Sequence, residues 1–125
     1  IKFAWIVHSE DGLDEISPYA KTNVIQLKNG KISEIIIDPK KINVDAENFS
    51  NILGGDTKFN AKKIIDIFKG KDNDFSKAVC LNAAAGLIVM EKSLNYKSCY
   101  DEAREFILTG KAYDHLKSLQ KVLKI

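Results

Sequence analysis

Two neighbouring carboxylates behind a glycine, Asp14 and Glu15 in the run Asp11-Gly12-Leu13-Asp14-Glu15-Ile16-Ser17, are the residues best suited to chemistry in this chain. No basic residue stands beside them, and their oxygens suit a hard cation. Mg2+ typically takes one or two protein carboxylates and completes its shell with water and substrate phosphates. Adjacent residues on an extended chain point to opposite sides, so both acids reach one site only where the backbone turns, which Gly12 permits. On spacing alone the competing reading is that one of them caps a turn or a helix start.

The elements that must position this pair follow from the flanking pattern. Phe3-Ala4-Trp5-Ile6-Val7 is short, apolar and β-branched enough for a buried strand. The acids therefore fall at a strand's carboxyl end, the edge where open α/β sheets bind ligands. After Pro18, Thr22 to Leu27 alternates and Asn29-Gly30 signals a tight hairpin, with Ile32 to Ile37 as the returning strand, ended by Asp38-Pro39. The hairpin strands are antiparallel, so a mixed sheet is expected. Lys40 to Ser50 reads as a connecting segment with a helical turn, and Leu53-Gly54-Gly55-Asp56 as a loop whose glycines serve turning and packing.

Helices follow. Asn60 is expected to cap the first, with Ile64, Ile65 and Phe68 on one face and Gly70 closing it. The second spans Asp74 to Lys92, where Ala83-Ala84-Ala85-Gly86 permits close packing and Asn82 is a core amide holding a neighbouring loop. Ser98 to Asp101 resembles a capping box opening a third helix that ends at Gly110. The last, Ala112 to Lys124, carries Leu116, Leu119, Val122 and Leu123 at helical spacing with its lysines toward water. The expected class is α/β: one strand before the acidic loop and an antiparallel hairpin, covered by carboxyl-terminal helices. Residues 1–125 are expected to form a single unit.

Other chemistry is poorly supported. His8 at the strand end is expected to satisfy local backbone groups, His115 is incidental, and Ser17 is a turn hydroxyl rather than a nucleophile. Two cysteines, Cys80 and Cys99, are too few for a disulfide scaffold. They read as a buried small hydrophobe and an incidental thiol, with cytoplasmic localisation the default. With two histidines, two cysteines and no paired spacing, zinc is not expected.

The 125 residues, 45% hydrophobic, suffice for one domain with a moderate core. A formal charge of +2, with 19 basic residues spread among 17 acidic ones, gives no footprint for nucleic acid. The longest apolar run, Ala78 to Met90, is interrupted by Asn82 and falls short of the roughly 20 residues of a membrane span. The chain starts almost inside a strand at Ile1-Lys2-Phe3, so it is expected to be a piece of a longer protein.

Val7-His8-Ser9-Glu10-Asp11-Gly12-Leu13-Asp14-Glu15-Ile16-Ser17 resembles the signature of the anthranilate phosphoribosyltransferase family. The resemblance continues through Leu53-Gly54-Gly55-Asp56 with Asn60-Ala61, through Leu81-Asn82-Ala83-Ala84, and to Gly110-Lys111-Ala112-Tyr113-Asp114. Ser9 stands where the family usually has glycine.

The resemblance implies the carboxyl-terminal part of a nucleoside-phosphorylase-like catalytic domain. It implies Mg2+-dependent transfer of phosphoribose from phosphoribosyl diphosphate to anthranilate, the second step of tryptophan biosynthesis from chorismate. Asp14 and Glu15 match the family's metal-binding pair, while Asp11 would shape the loop. The helical anthranilate-binding and dimer-forming domain and the glycine-rich phosphate loop lie upstream, so the parent is expected to be a homodimer and this piece alone inactive. Two other readings are a non-catalytic nucleic-acid-binding relative of the same fold, and a pyrimidine nucleoside phosphorylase, which the Asp-Gly-Leu-Asp-Glu spelling disfavours.

Overall fold

The computed structural model describes residues 1–124. Three strands, β1 (Phe3–Ser9), β2 (Thr22–Lys28) and β3 (Lys31–Ile37), form one sheet in the order β1-β2-β3. Two short 3-10 turns, Pro39–Ile42 and Phe49–Ile52, lead to helices α1 (Thr57–Phe68), α2 (Asp74–Val89), α3 (Tyr96–Leu108) and α4 (Lys111–Leu123). The α/β class, with one strand, a hairpin and covering helices, is the one the sequence implies. Every pairing between the described strands is antiparallel, however, so the mixture of strand directions expected for the sheet is not seen among them. The cause is local: parallel neighbours need a crossover of a dozen or more residues, usually a helix. Here the acidic loop simply folds the chain back onto β1.

The hairpin is set by its turn. Asn29 (φ 51) and Gly30 (φ 76) both sit at positive φ, as a type I′ turn demands, and register Lys28↔Lys31 follows. That register places Val7, Val24 and Ile35 in one row on the inner face, with Ser9, Thr22 and Ile37 in the next. The opposite face is apolar yet uncovered: Ile6 is 71% exposed and Ile32 75%.

Against the inner face lies α2, apolar on nearly all sides, as befits a central helix. Leu81 and Ala84 are fully buried and pack with Val24, Ile37, Ile67, Cys99 and Ile107. Ala84 supplies the close approach expected of the small-residue patch, while Gly86 faces open space. Both cysteines are buried and free. Burial pushes the Cys80 thiol up to about 11.

Helix starts differ from those expected. Asp56, not Asn60, caps α1 by accepting from Phe59 N (2.8 Å). Asn60 lies within α1, and its amide instead bonds the backbone of Gly55, accepting from N at 2.9 Å and donating to O at 3.0 Å. A Cβ on Gly55 would sit 2.8 Å from the Phe59 ring, so this glycine does serve packing. Helix α3 begins before the expected box, with Asn95 accepting from Ser98 N (2.9 Å). Along α4 the apolar stripe is only partly covered: Leu119 is 45% exposed and Val122 81%. Beside it an apolar groove of about 720 Å3 runs between Phe68, Leu87, Phe106 and Leu116, with His115 also in its lining. Among the described residues, no helix is long and apolar enough to cross a membrane.

Candidate metal-binding loop

At the end of β1 the chain closes a tight loop. Ser9 N donates to Leu13 O (2.9 Å) and Gly12 N to Ser9 O (3.0 Å). Gly12 adopts φ +93 with nothing near a notional Cβ, so glycine is needed there for backbone conformation rather than for space. Ser9, where the signature carries glycine, is an ordinary strand residue without positive φ. It is fully buried and its hydroxyl donates to Lys21 O (3.2 Å).

Asp11 shapes the loop, as expected. One of its oxygens accepts from Leu13 N (3.4 Å) and the other from the Ser17 hydroxyl (2.5 Å). Partial burial pushes its carboxyl up, but the hydrogen bonds from Ser17 and the backbone outweigh that and hold it below the usual carboxylate range. Ser17 Oγ accepts from Tyr19 N (3.0 Å) and Ala20 N (3.3 Å), and Ser17 N donates to Thr22 Oγ1 (3.2 Å). A hydroxyl so occupied is a turn device, not a nucleophile.

Between these fixed points stand Asp14 and Glu15, both exposed. They line one cleft of about 360 Å3, together with Asn60 and Lys63 of α1 and Ala78 and Val79 of α2. None of the ion pairs among the described residues involves either acid. The turn at Gly12 thus brings two adjacent acidic residues to the lining of one cleft. His8 does not line this cleft; it sits on the outer sheet face opposite Asn23. Among the described residues no group of three or more His, Cys, Asp or Glu gathers where it could hold a metal unaided. Two free carboxylates fit a magnesium ion whose remaining ligands are water and substrate oxygens.

The loop's far side is anchored to α2. Asn82 Oδ1 accepts from Ile16 N (3.0 Å), and its Nδ2 donates to Ile16 O (3.1 Å) and to Ala78 O (3.0 Å). Ile16 itself is buried in the core. The expectation that Asn82 holds a neighbouring loop is met.

A second anchor, Asp74, has no counterpart in the sequence reading. It is 4% exposed at the first turn of α2. One oxygen accepts from Asn51 Nδ2 (2.9 Å), Tyr19 OH (3.1 Å), Glu47 N (3.1 Å) and Asn48 N (3.3 Å), and the other from Lys77 Nζ (3.1 Å). Burial works against its charge, but the hydrogen bonds from Asn51, Lys77 and the backbone win, holding the carboxyl far below the usual range. Tyr19, desolvated and facing that carboxylate, is pushed well above the ordinary phenol value. The only local signal was the Asn73-to-Ser76 capping box, which marks the helix start but not the hub.

Residues 1–113 match the family described as the glycosyl transferase family, a/b domain. A curated anthranilate phosphoribosyltransferase from Pelagibacter ubique is 69% identical over 122 residues, which covers 98% of this chain and 37% of that protein. The crystal structure of anthranilate phosphoribosyltransferase from Thermus thermophilus superposes with a TM-score of 0.87 at 26% identity, over 98% of this chain and 36% of the other. A Saccharomyces cerevisiae anthranilate phosphoribosyltransferase variant with Mg bound gives 0.77 at 26% identity, over 92% and 34%. The chain thus spans little more than a third of the length of the curated relative.

Proposed function

The chain belongs to the glycosyl transferase family whose a/b domain it matches, and from that premise we propose that it is the carboxyl-terminal part of the catalytic domain of an anthranilate phosphoribosyltransferase. The intact protein would transfer phosphoribose from phosphoribosyl diphosphate to the amine of anthranilate, with Mg2+ held by Asp14 and Glu15. The observation that carries this reading is the presentation of both acids, exposed and outside the described ion pairs, at one cleft beside a strand's carboxyl end. It is supported by the 69% identical relative of that name and by the Mg-bound structural neighbour.

Magnesium bound with the donor supplies Lewis-acid neutralisation of the charge that builds on the departing diphosphate. The chain's own contribution is geometric. Gly12 turns the backbone so that Asp14 and Glu15 face one cleft, Asp11 and Ser17 lock the turn, and Asn82 fixes the residue that follows Glu15. An aromatic amine needs placement against the anomeric carbon more than a strong base. The residues touching the acceptor and the phosphate loop belong to the upstream part of the parent, so these residues alone have no turnover. The parent is a cytoplasmic homodimer joined through its helical domain.

The test is made in the full-length protein. Asp14→Asn and Glu15→Gln should each lower kcat/KM at least about a hundredfold, since several kcal/mol of charge stabilisation pass through the metal. Wild-type rates in both variants remove the assignment. Salt-sensitive retention of the intact protein on DNA, without donor-dependent Mg2+ binding, would favour the non-catalytic reading instead.

A further inference from the structure

Asn82 stands in an unusual relation to the acidic loop. Its amide donates to and accepts from the same residue, Ile16, so the two bonds fix both the position and the rotation of the peptide units flanking it. The third bond, to Ala78 O one turn back on α2, removes the amide's own freedom. Ile16 is 1% exposed, so its N–H and C=O have no water to turn to. The peptide unit that Asn82 Oδ1 grips is the one joining Glu15 to Ile16, and its plane sets the direction in which Glu15 leaves the backbone.

We infer that Asn82 is a positioning residue for the metal-binding pair. By holding Ile16 from both sides, it aims Glu15, and with it Asp14, into the shared cleft, so that α2 rather than the loop itself sets the geometry offered to a divalent cation. This rests on the function proposed above. Partners that orient metal ligands without touching the metal are commonly worth about ten- to a hundredfold in affinity. Asn82 acts one residue away from the ligand, which puts the expected effect at about tenfold.

Asn82→Asp is the sharp variant. It keeps an acceptor for Ile16 N but turns the amide donor into an oxygen facing the carbonyls of Ile16 and Ala78. In the full-length protein with phosphoribosyl diphosphate present, Mn2+ binding followed by electron paramagnetic resonance should weaken about tenfold. The Mg2+ concentration for half-maximal activity should rise in step, with the KM for anthranilate unchanged. Amide exchange at Ile16 should accelerate. Where Asn82→Asp does not fold, Asn82→Ser, which is smaller and cannot bracket Ile16, is read in the same way.

The control is Tyr96→Phe. It removes the bond from Tyr96 OH to Leu81 O (2.6 Å) on the adjacent residue of α2, so it lowers stability without moving Mn2+ affinity. Unchanged Mn2+ affinity in a folded Asn82 variant overturns the inference, as does an equal loss in Tyr96→Phe. Either result leaves the proposed function intact, because that reading stands or falls on Asp14→Asn and Glu15→Gln.

Discussion

Asp74 and the Asp14–Glu15 pair are acids of one helix-and-loop assembly, and the fold treats them in opposite ways. Asp74 is sealed, its carboxylate occupied by donors drawn from residues 19, 47, 48, 51 and 77. Asp14 and Glu15 are exposed and join none of the described ion pairs, although the residues on each side of them are tightly bonded. A carboxylate saturated by protein donors holds the structure together and has no lone pairs left for a ligand. One left free on a braced backbone is available to bind. The distinction lies in where the hydrogen bonds go, not in the residue type.

The largest effect that would break this contrast is on activity. If free presentation is what matters, Asp14→Asn and Glu15→Gln abolish most turnover of the intact protein while its stability stays within about 0.5 kcal/mol of wild type, as for other exposed sites. A marked loss of stability would instead class them with Asp74.

The reverse holds at the hub. Asp74→Ala strands the amides of Glu47, Asn48 and Asn51 and leaves Lys77 without its carboxylate, and should cost about 3 kcal/mol in chemical denaturation. The pH dependence follows in sign. The Asp74 carboxyl is depressed in the folded state, so its contribution is fully present above the unfolded value near 4 and is lost as pH falls below that value. Tyr19 is raised, so its contribution is present below the unfolded phenol value near 10 and is lost as pH rises beyond it. Asp74→Asn should flatten the acid limb of the stability profile, and an unchanged acid limb would show that the hub is not what unfolds there. A smaller effect sharpens the loop side: Gly12→Ala, forced to φ +93, should cost about 1 kcal/mol and raise the Mg2+ requirement.

What the sequence made legible was what local geometry decides. Asn29-Gly30 names its own turn, because few residues tolerate positive φ twice in succession. The acidic loop was equally readable, since its turn, its shaping acid and its closing hydroxyl lie within seven residues, Asp11 to Ser17. Helix starts were less so. Asp56 and Asn60, or Asn95 and Ser98, are all capable of capping, and the choice within each pair was settled in space: Asn60 is claimed by Gly55. The Asp74 hub was not legible at all, because its donors come from far along the chain and no periodicity records such a convergence. The expected mixture of strand directions is absent among the described strands for a local reason: the β1–β2 connection is a short loop that turns the chain straight back, so both pairings are antiparallel.

Ser9 carries one more consequence. Because it occupies ordinary strand backbone, a glycine is not required there, and a side chain at this site restricts the denatured ensemble rather than straining the folded one. Such a restriction is worth about 0.4–1 kcal/mol. The chain therefore begins its search for the acidic loop with fewer conformations to discard than the same chain would with glycine at this position, and does so at a site whose hydroxyl is then tied to Lys21 O.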